Sequence, residues 1–227
     1  MIEGIRRNRQ AILQRMDAAA KRGGRGEEIS LLAVTKGRSP EQVQAAYEAG
    51  LTAMGENRPQ ELEQKIQACP FPVEWHLIGQ LQTNKIKYII ENVFLFQSLD
   101  RPELAMALDR EAEKKGLHVS VLLQGYFNAG PGRGGTDEKG LEALLALCGR
   151  LPRLTVKGLM GIAPHPAEPE QKRNYFRRMR RLYEAYGKDN GMEILSLGMS
   201  DDFEMAIEEG STLVRIGTAL FAGQDQA

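Results

Sequence analysis

The segment Ile29-Ser30-Leu31-Leu32-Ala33-Val34-Thr35 sets the pattern on which the fold depends. Apolar and β-branched residues dominate it, as they do in a strand that is buried on both faces. The chain then continues to Ser39-Pro40, a helix N-cap followed by proline at the first helical position, and the helix that this predicts ends near Gly50. A buried strand followed by a helix is the repeating unit of a parallel sheet.

Seven more apolar runs follow, and helix-like segments separate them. The predicted strands cover residues 29–35, 51–54, 73–78, 93–97, 118–123, 154–162, 193–197 and 212–221, and the helices between them cover 40–50, 59–68, 84–90, 101–115, 137–148, 168–186 and 201–209. Eight alternating units of about 28 residues predict an α/β protein with a (β/α)8 barrel of the TIM type. A doubly wound open sheet is the structural alternative.

The ends of the chain fit the barrel as well. The last strand has no helix after it, but residues 2–21 have apolar residues at roughly helical spacing. We expect this extra N-terminal helix to cover the gap. No linker rich in Pro, Ser or Gly divides the chain, so residues 1–227 are expected to form a single domain.

Composition excludes several classes of protein. Thirty basic and thirty acidic residues give a formal net charge of zero, which argues against a general nucleic-acid binder. No apolar run reaches the ~20 residues of a membrane span, and the N-terminus lacks the apolar region of a secretory signal. Cys69 and Cys148 fit no disulfide framework, and the three histidines show no metal-ligand spacing. We therefore expect a cytoplasmic protein with reduced thiols and no metal, nucleic-acid or membrane partner. A monomer is a separate expectation, because composition leaves the oligomeric state open.

Lys36 is the most informative candidate for chemistry, because the carboxyl ends of barrel strands meet at one site. It follows the apolar run of the first strand directly. Partial desolvation of its ammonium there would favour the neutral amine, which attacks carbonyl groups to form Schiff bases. The alternative is a lysine whose side chain extends into solvent from the end of the strand. The residues alone leave both interpretations open.

A possible phosphate site follows the last two strands, where barrel proteins usually have one. Ser200 offers a hydroxyl, and the backbone of Gly217 and Thr218 offers amides. Arg215 is the nearby cation, although it could instead face a ring nitrogen. The structural alternative is that Ser200 caps a helix starting at Asp201. A lysine nucleophile beside a phosphate site fits either a Schiff-base aldolase for phosphorylated sugars or pyridoxal 5′-phosphate (PLP).

A glycine-rich segment follows the fifth predicted strand. Gly130, Gly132 and Gly135 match the pattern G-x-G-x-x-G. A proline lies inside the pattern, and the next strand lacks the acidic residue that binds the ribose in dinucleotide-binding proteins. We interpret the segment as a surface loop.

At this level of detail the chain resembles a known family. It is similar to the PLP homeostasis proteins, single-domain relatives of the barrel domain of bacterial alanine racemase. The resemblance covers nearly the whole chain and rests on these segments: Ala33-Val34-Thr35-Lys36, Gly55-Glu56-Asn57-Arg58-Pro59-Gln60-Glu61, Trp75-His76-Leu77-Ile78-Gly79-Gln80-Leu81-Gln82-Thr83-Asn84-Lys85, Leu197-Gly198-Met199-Ser200-Asp201-Asp202 and Val214-Arg215-Ile216-Gly217-Thr218.

The resemblance implies a role for each matching residue. Lys36 would form a covalent aldimine with PLP, Arg215 would face the pyridine nitrogen, and Ser200, Gly217 and Thr218 would hold the phosphate. Asn57, His76 and Met199 match positions that line the cofactor pocket. The chain departs from the family after the fifth strand, where it reads Gly125-Tyr126-Phe127-Asn128 before the glycine-rich loop.

The implied function is that of a carrier: PLP would be held, buffered and delivered to PLP-dependent apoenzymes without turnover. Arginine only donates hydrogen bonds, so Arg215 leaves the ring nitrogen unprotonated and the cofactor a weaker electron sink. The racemases also take a second acid-base group from a further domain, for which this sequence shows no segment after the last strand. A single-domain racemase of weak activity is the first alternative, and the Schiff-base aldolase the second.

Overall fold

A computed structural model of the chain describes residues 1–26, 28–127 and 134–223. Its strands are β1 Ser30–Val34, β2 Ala53–Glu56, β3 Glu74–Leu77, β4 Val93–Leu99, β5 Val119–Gly125, β6 Leu154–Gly161, β7 Ile194–Ser196 and β8 Leu213–Ile216. All neighbouring strands pair in parallel, and β8 pairs with β1, which closes the barrel. The predicted (β/α)8 barrel is therefore confirmed, and the open sheet is wrong.

The helices lie outside the barrel. They are α1 Ile2–Arg22, α2 Pro40–Glu48, α3 Pro59–Ala68, α4 Ile86–Ile89, α5 Pro102–Lys115, α6 Glu138–Cys148, α7 Pro169–Asn190 and α8 Phe203–Glu208, with a 3-10 turn at Thr83–Lys85 before α4. As expected, α1 covers the gap after β8, where it packs between α8 and α2. None of the helices in the described ranges has both the length and the apolar character that crossing a bilayer requires.

Several boundaries differ from the predicted ranges, and two strands, β8 and β2, illustrate why. β8 ends at Ile216, although its apolar run continues to Phe221. The amides of Leu220 and Phe221 donate to Gly217 O at 3.0 and 3.1 Å, which makes a turn in place of more strand. The apolar residues of this turn are buried under the helices, so they look like a strand in sequence. In the second unit the strand lies later than expected, at Ala53–Glu56.

The core has two parts. The larger one lies between the barrel and its helices, and it contains the two cysteines, which are buried and free, as expected. A smaller cluster of Leu95, Leu122 and Met160 comes from three successive strands. Polar side chains from β3, β4, β7 and β8 share the interior of the barrel with it, because the bond from Ser196 Oγ on β7 to Gln97 Oε1 on β4 joins strands that are not neighbours.

Candidate functional site

A cleft of about 890 Å³ opens where the strands end. This volume falls within the range of pockets that hold small cofactors. Seven of the eight residues predicted to bind a cofactor line it: Lys36, Asn57, Met199, Ser200, Arg215, Gly217 and Thr218. The topology thus brings together residues that lie up to 182 positions apart in the sequence, which is the difference between 218 and 36.

Lys36 extends into the open cleft just beyond β1. Its side chain is exposed, whereas Val34 and Thr35 before it are buried. The strand ends before Lys36 and its side chain enters open space, so the structure gives no support to the expected desolvation of the ammonium. Whether Lys36 forms a Schiff base stays a prediction.

The backbone around Lys36 is fixed by a buried ion pair. Lys65 on α3 is 4 % exposed, and its Nζ donates to Thr35 O at 2.6 Å and to Glu56 Oε1 at 2.6 Å. Glu61 accepts a third bond from Lys65 at 2.8 Å and one from Gly37 N at 2.6 Å. The residues on both sides of Lys36 are thus tied to α3, so the origin of its flexible side chain is held in place.

The two carboxylates of this network differ in their electrostatics. Burial raises the pKa of Glu56 more than the hydrogen bonds from Lys65 and Thr35 lower it. One oxygen of Glu56, Oε2, is buried and has no hydrogen-bond partner in the described part of the chain. Partial burial would also raise the pKa of Glu61, but hydrogen bonds from Lys65 and Gly37 outweigh it and lower the pKa. Glu61 is therefore the more firmly ionised of the two.

The loops after β7 and β8 meet at Ser200. Its Oγ accepts a hydrogen bond from Ala219 N at 3.4 Å, and α8 begins later, at Phe203, with Asp202 as its N-cap. Capping of a helix that starts at Asp201 is therefore wrong. At the start of the turn after β8, the amides of Gly217 and Thr218 have no acceptor within the turn itself. A hydroxyl close to backbone amides that have no acceptor within the turn provides hydrogen-bond donors of the kind that bind phosphate.

Glycine is required next to this loop. Gly198 has a φ of +89°, a left-handed conformation, and a Cβ there would lie 2.7 Å from Ala206 Cβ. Any larger residue would clash with α8 and adopt a strained backbone. Gly198 therefore determines how Met199 and Ser200 enter the cleft.

Arg215 is buried at the bottom of the cleft, with 3 % of its surface exposed. Nη1 donates to Ser196 O and to Ser196 Oγ, both at 2.7 Å, and Nη2 donates to Gly161 O at 2.7 Å. Burial lowers the pKa of Arg215 to about 10, while Tyr175 and Asp202 act in the opposite direction. The guanidinium therefore stays charged at neutral pH, with its remaining N–H donors available to a ligand.

His76 is the predicted residue that does not line the cleft. It is 3 % exposed, and its Nδ1 lies 2.8 Å from Gln97 Nε2 inside the barrel. Desolvation lowers the pKa of His76 to about 4, so it is neutral at pH 7. Its part in the site is therefore indirect.

The cleft contains residues to which the sequence pattern assigns no role. Gln124 at the end of β5 and Ile162 after β6 line it, as do Arg38 and Arg58 in the loops after β1 and β2. A lone glutamine at an inward position of the apolar strand β5 was the available signal. Among the described lining residues, four are cationic and only Asp201 carries a carboxylate, so the cleft favours an anionic ligand.

Part of the glycine-rich segment adjoins the cleft, because a Cβ on Gly134 would lie 2.6 Å from the side-chain nitrogen of Gln80, a lining residue. Gly135 N donates to Asp100 Oδ2 at 3.0 Å. Gly130 and Gly132 lie outside the described residues, so the interpretation of the segment as a surface loop stays a prediction.

Comparisons with known proteins match this architecture. The family model "Alanine racemase, N-terminal domain" matches residues 8–225. The pyridoxal phosphate homeostasis protein of Aquifex aeolicus is 42 % identical over 214 residues, which cover 92 % of this chain and 94 % of the relative. The chain belongs to the pyridoxal phosphate homeostasis protein family.

Solved structures extend the comparison. PipY of Synechococcus elongatus, a protein solved with PLP bound, is 32 % identical, with a TM-score of 0.80, over 86 % of this chain and 92 % of PipY. Alanine racemase of Corynebacterium glutamicum has a TM-score of 0.69 at 19 % identity, and the match covers 98 % of this chain but 62 % of the racemase. The racemase match shows the shared fold alone. Because the chain belongs to the pyridoxal phosphate homeostasis protein family, the residues of its cleft support a specific hypothesis of function.

Proposed function

We propose that the whole chain, residues 1–227, acts as one PLP-binding domain that holds PLP in the cleft and supplies it to PLP-dependent apoenzymes. The observation that carries this proposal is the convergence of Lys36, Ser200 and Arg215 on one cleft at the mouth of the barrel. A related protein, PipY, has been solved with PLP. The family name of the curated relatives supports a role in homeostasis.

The chemistry of the cleft fits PLP group by group. The amine of Lys36 suits the aldehyde, with which it would form a covalent aldimine. Ser200 and the amides of Gly217 and Thr218 suit the phosphate. A Cβ on Gly217 would lie 3.2 Å from Val34 O, so glycine lets the backbone stay close to β1 while its amide remains open to a ligand. Arg215 suits the ring nitrogen, because it can only donate.

The composition of the lining favours a carrier over a catalyst. The described lining residues include no His, Cys or Tyr, and Asp201 is the single carboxylic acid among them. A racemase needs an acid-base group on each face of the bound amino acid. An arginine beside the ring nitrogen also limits the electron sink that PLP provides. Both features support PLP binding without efficient turnover.

Borohydride reduction tests the attachment to Lys36. The protein is incubated with PLP, reduced and digested, and the mass of each peptide is measured. We expect one adduct on the peptide that contains Lys36, and its loss in Lys36→Ala. Lys21→Ala is the control, since Lys21 lies on α1 and pairs with Asp17 on the outside of the protein. A protein that binds no PLP, or an adduct that persists in Lys36→Ala, contradicts the proposal.

Two assays separate the carrier from the enzyme. In deuterated water, loss of the α-proton of L-amino acids should be no faster with the loaded protein than with free PLP. Mixing the loaded protein with an apoenzyme should restore the activity of that apoenzyme. Exchange well above the free-PLP rate would favour the racemase instead.

A further inference from the structure

A chain of hydrogen bonds runs from Arg215 to the opposite side of the barrel. Arg215 on β8 donates to Ser196 Oγ on β7 at 2.7 Å, and Ser196 Oγ donates to Gln97 Oε1 on β4 at 2.7 Å. Gln97 Nε2 lies 2.8 Å from His76 Nδ1 on β3. Because β7 and β4 are not neighbours in the sheet, the bond between Ser196 and Gln97 must cross the interior.

The direction of this chain follows from its first member. Arginine has no acceptor, so Ser196 Oγ must accept from Arg215 and give its own proton to the next group. Gln97 therefore presents its oxygen to Ser196 and its amide hydrogens to His76. His76 Nδ1 must then accept, which leaves the ring proton on Nε2. Burial of His76 keeps the ring neutral at pH 7, so Nδ1 stays an acceptor.

This chain of hydrogen bonds limits the number of N–H donors that Arg215 can offer to a ligand in the cleft. Bonds to Ser196 O, Ser196 Oγ and Gly161 O use three of the five N–H donors of a guanidinium. The Nε–H and one Nη2–H remain. All four members of the chain are at most 3 % exposed, so water does not compete for these bonds.

We propose that Ser196, Gln97 and His76 are positioning residues that hold Arg215 with its remaining donors directed at the ring nitrogen of bound PLP. This inference rests on the proposed function. Without the hydroxyl of Ser196, Gln97 Oε1 loses its donor and becomes a competing acceptor for Arg215. The guanidinium, still held by Ser196 O and Gly161 O, then shifts one Nη1–H towards Gln97, and its remaining donors are no longer fixed on the ring nitrogen.

Ser196→Ala is the primary variant. Arg215 keeps its bonds to Ser196 O and Gly161 O, so the charge does not become unpaired and the barrel should fold. Ser196→Thr restores a hydroxyl, and Gln97→Leu breaks the chain one step later. Ser211→Ala is the matched control, because Ser211 is also buried and its Oγ lies 3.0 Å from Leu195 O and 2.9 Å from Leu197 O beside β7. None of the described hydrogen bonds of Ser211 involves a member of the hydrogen-bond chain.

The readout is the ¹⁵N chemical shift of the ring nitrogen of labelled PLP bound to each variant, together with the PLP dissociation constant. In the wild type, the shift should be that of an unprotonated ring nitrogen accepting a hydrogen bond. Ser196→Ala and Gln97→Leu should both change this shift and bind PLP about tenfold more weakly, as loss of a hydrogen bond in a charged network implies. Ser196→Thr should restore both values, and Ser211→Ala should leave both unchanged.

The outcomes separate this inference from the proposed function. If the wild type binds no PLP, the proposed function is wrong, and the inference that rests on it is wrong as well. If the wild type binds PLP but the shift is the same in all variants, the proposed function stands and the positioning chain is wrong. If Ser211→Ala changes the shift as much as Ser196→Ala, the effect is a general loss of packing, which also overturns the inference.

Discussion

His76 makes the stability of the protein depend on pH. Burial lowers its pKa from 6.5 to about 4, so between these values the unfolded chain binds a proton that the folded chain does not. The free energy of unfolding is therefore highest above the unfolded pKa of 6.5, and it decreases as the pH falls from 6.5 towards the folded pKa of about 4. For a shift of this size, the free energy of unfolding should decrease by about 2 kcal/mol between pH 7 and pH 5.

Denaturant unfolding of His76→Gln at both pH values checks this prediction. Glutamine offers Gln97 an acceptor oxygen and does not titrate, so we expect the loss between pH 7 and pH 5 to shrink in the variant. His118→Gln is the control, because His118 is exposed. An equal pH dependence in wild type and His76→Gln would show that other groups cause it.

Among the single residues of the site, those that follow a strand could be predicted from the sequence, and the polar residues inside apolar strands could not. Lys36, Ser200 and Gly217 could be predicted, because each follows a strand and all strand ends of a barrel meet. Gln97 and Ser196 could not, because their partners lie across the barrel on strands that are distant in sequence. Their only signal was a polar side chain within the runs Phe94-Leu95-Phe96-Gln97 and Ile194-Leu195-Ser196.

At the scale of elements, α8 is held between two long helices by shared ion pairs. Glu208 accepts from Arg22 of α1 at 2.7 Å and from Arg173 of α7 at 2.9 Å. Partial burial would raise the pKa of Glu208, but these two hydrogen bonds outweigh it and lower the pKa. Because α8 follows the Ser200 loop directly, this network also holds the end of that loop.

Glu208→Gln removes the carboxylate that both arginines share. We expect a loss of about 1 kcal/mol in the free energy of unfolding at low salt, and a smaller loss at high salt, since the pairs are partly exposed. The contribution is present above the usual carboxylate pKa and disappears as the pH falls below it. Asp17→Asn, which breaks an exposed pair within α1, should change stability much less. Equal losses in both variants would contradict a special role for the network.

Element boundaries show where the repeating pattern is reliable. The order of strands and helices could be predicted because one pattern recurs eight times and each unit supports the others. The end of β8 could not, because Leu220 and Phe221 are fully buried in the turn and look like strand residues. The apolar pattern of a sequence indicates which residues are buried. In this protein residues stay buried beyond Ile216, the last residue that pairs with β1.

At the scale of the whole molecule, ligand binding should stabilise the barrel where it closes. The proposed phosphate site joins the loops after β7 and β8, and β8 completes the ring by pairing with β1. A ligand that binds only the folded state at 100 times its dissociation constant stabilises that state by about 2.7 kcal/mol. For a chain of this length that corresponds to a rise of roughly 5–10 °C in the melting temperature.

Thermal unfolding with PLP and with pyridoxal, which lacks the phosphate, tests this link between the site and the fold. In the wild type, PLP should raise the melting temperature well above the effect of pyridoxal at the same concentration. Ser200→Ala removes one phosphate donor worth about 1–3 kcal/mol, so it should reduce the PLP effect and leave the pyridoxal effect unchanged. Lys36→Ala should reduce both effects, because both ligands carry the aldehyde. If PLP and pyridoxal stabilise the wild type equally, the phosphate does not bind between these loops, and the closure of the barrel is independent of the ligand.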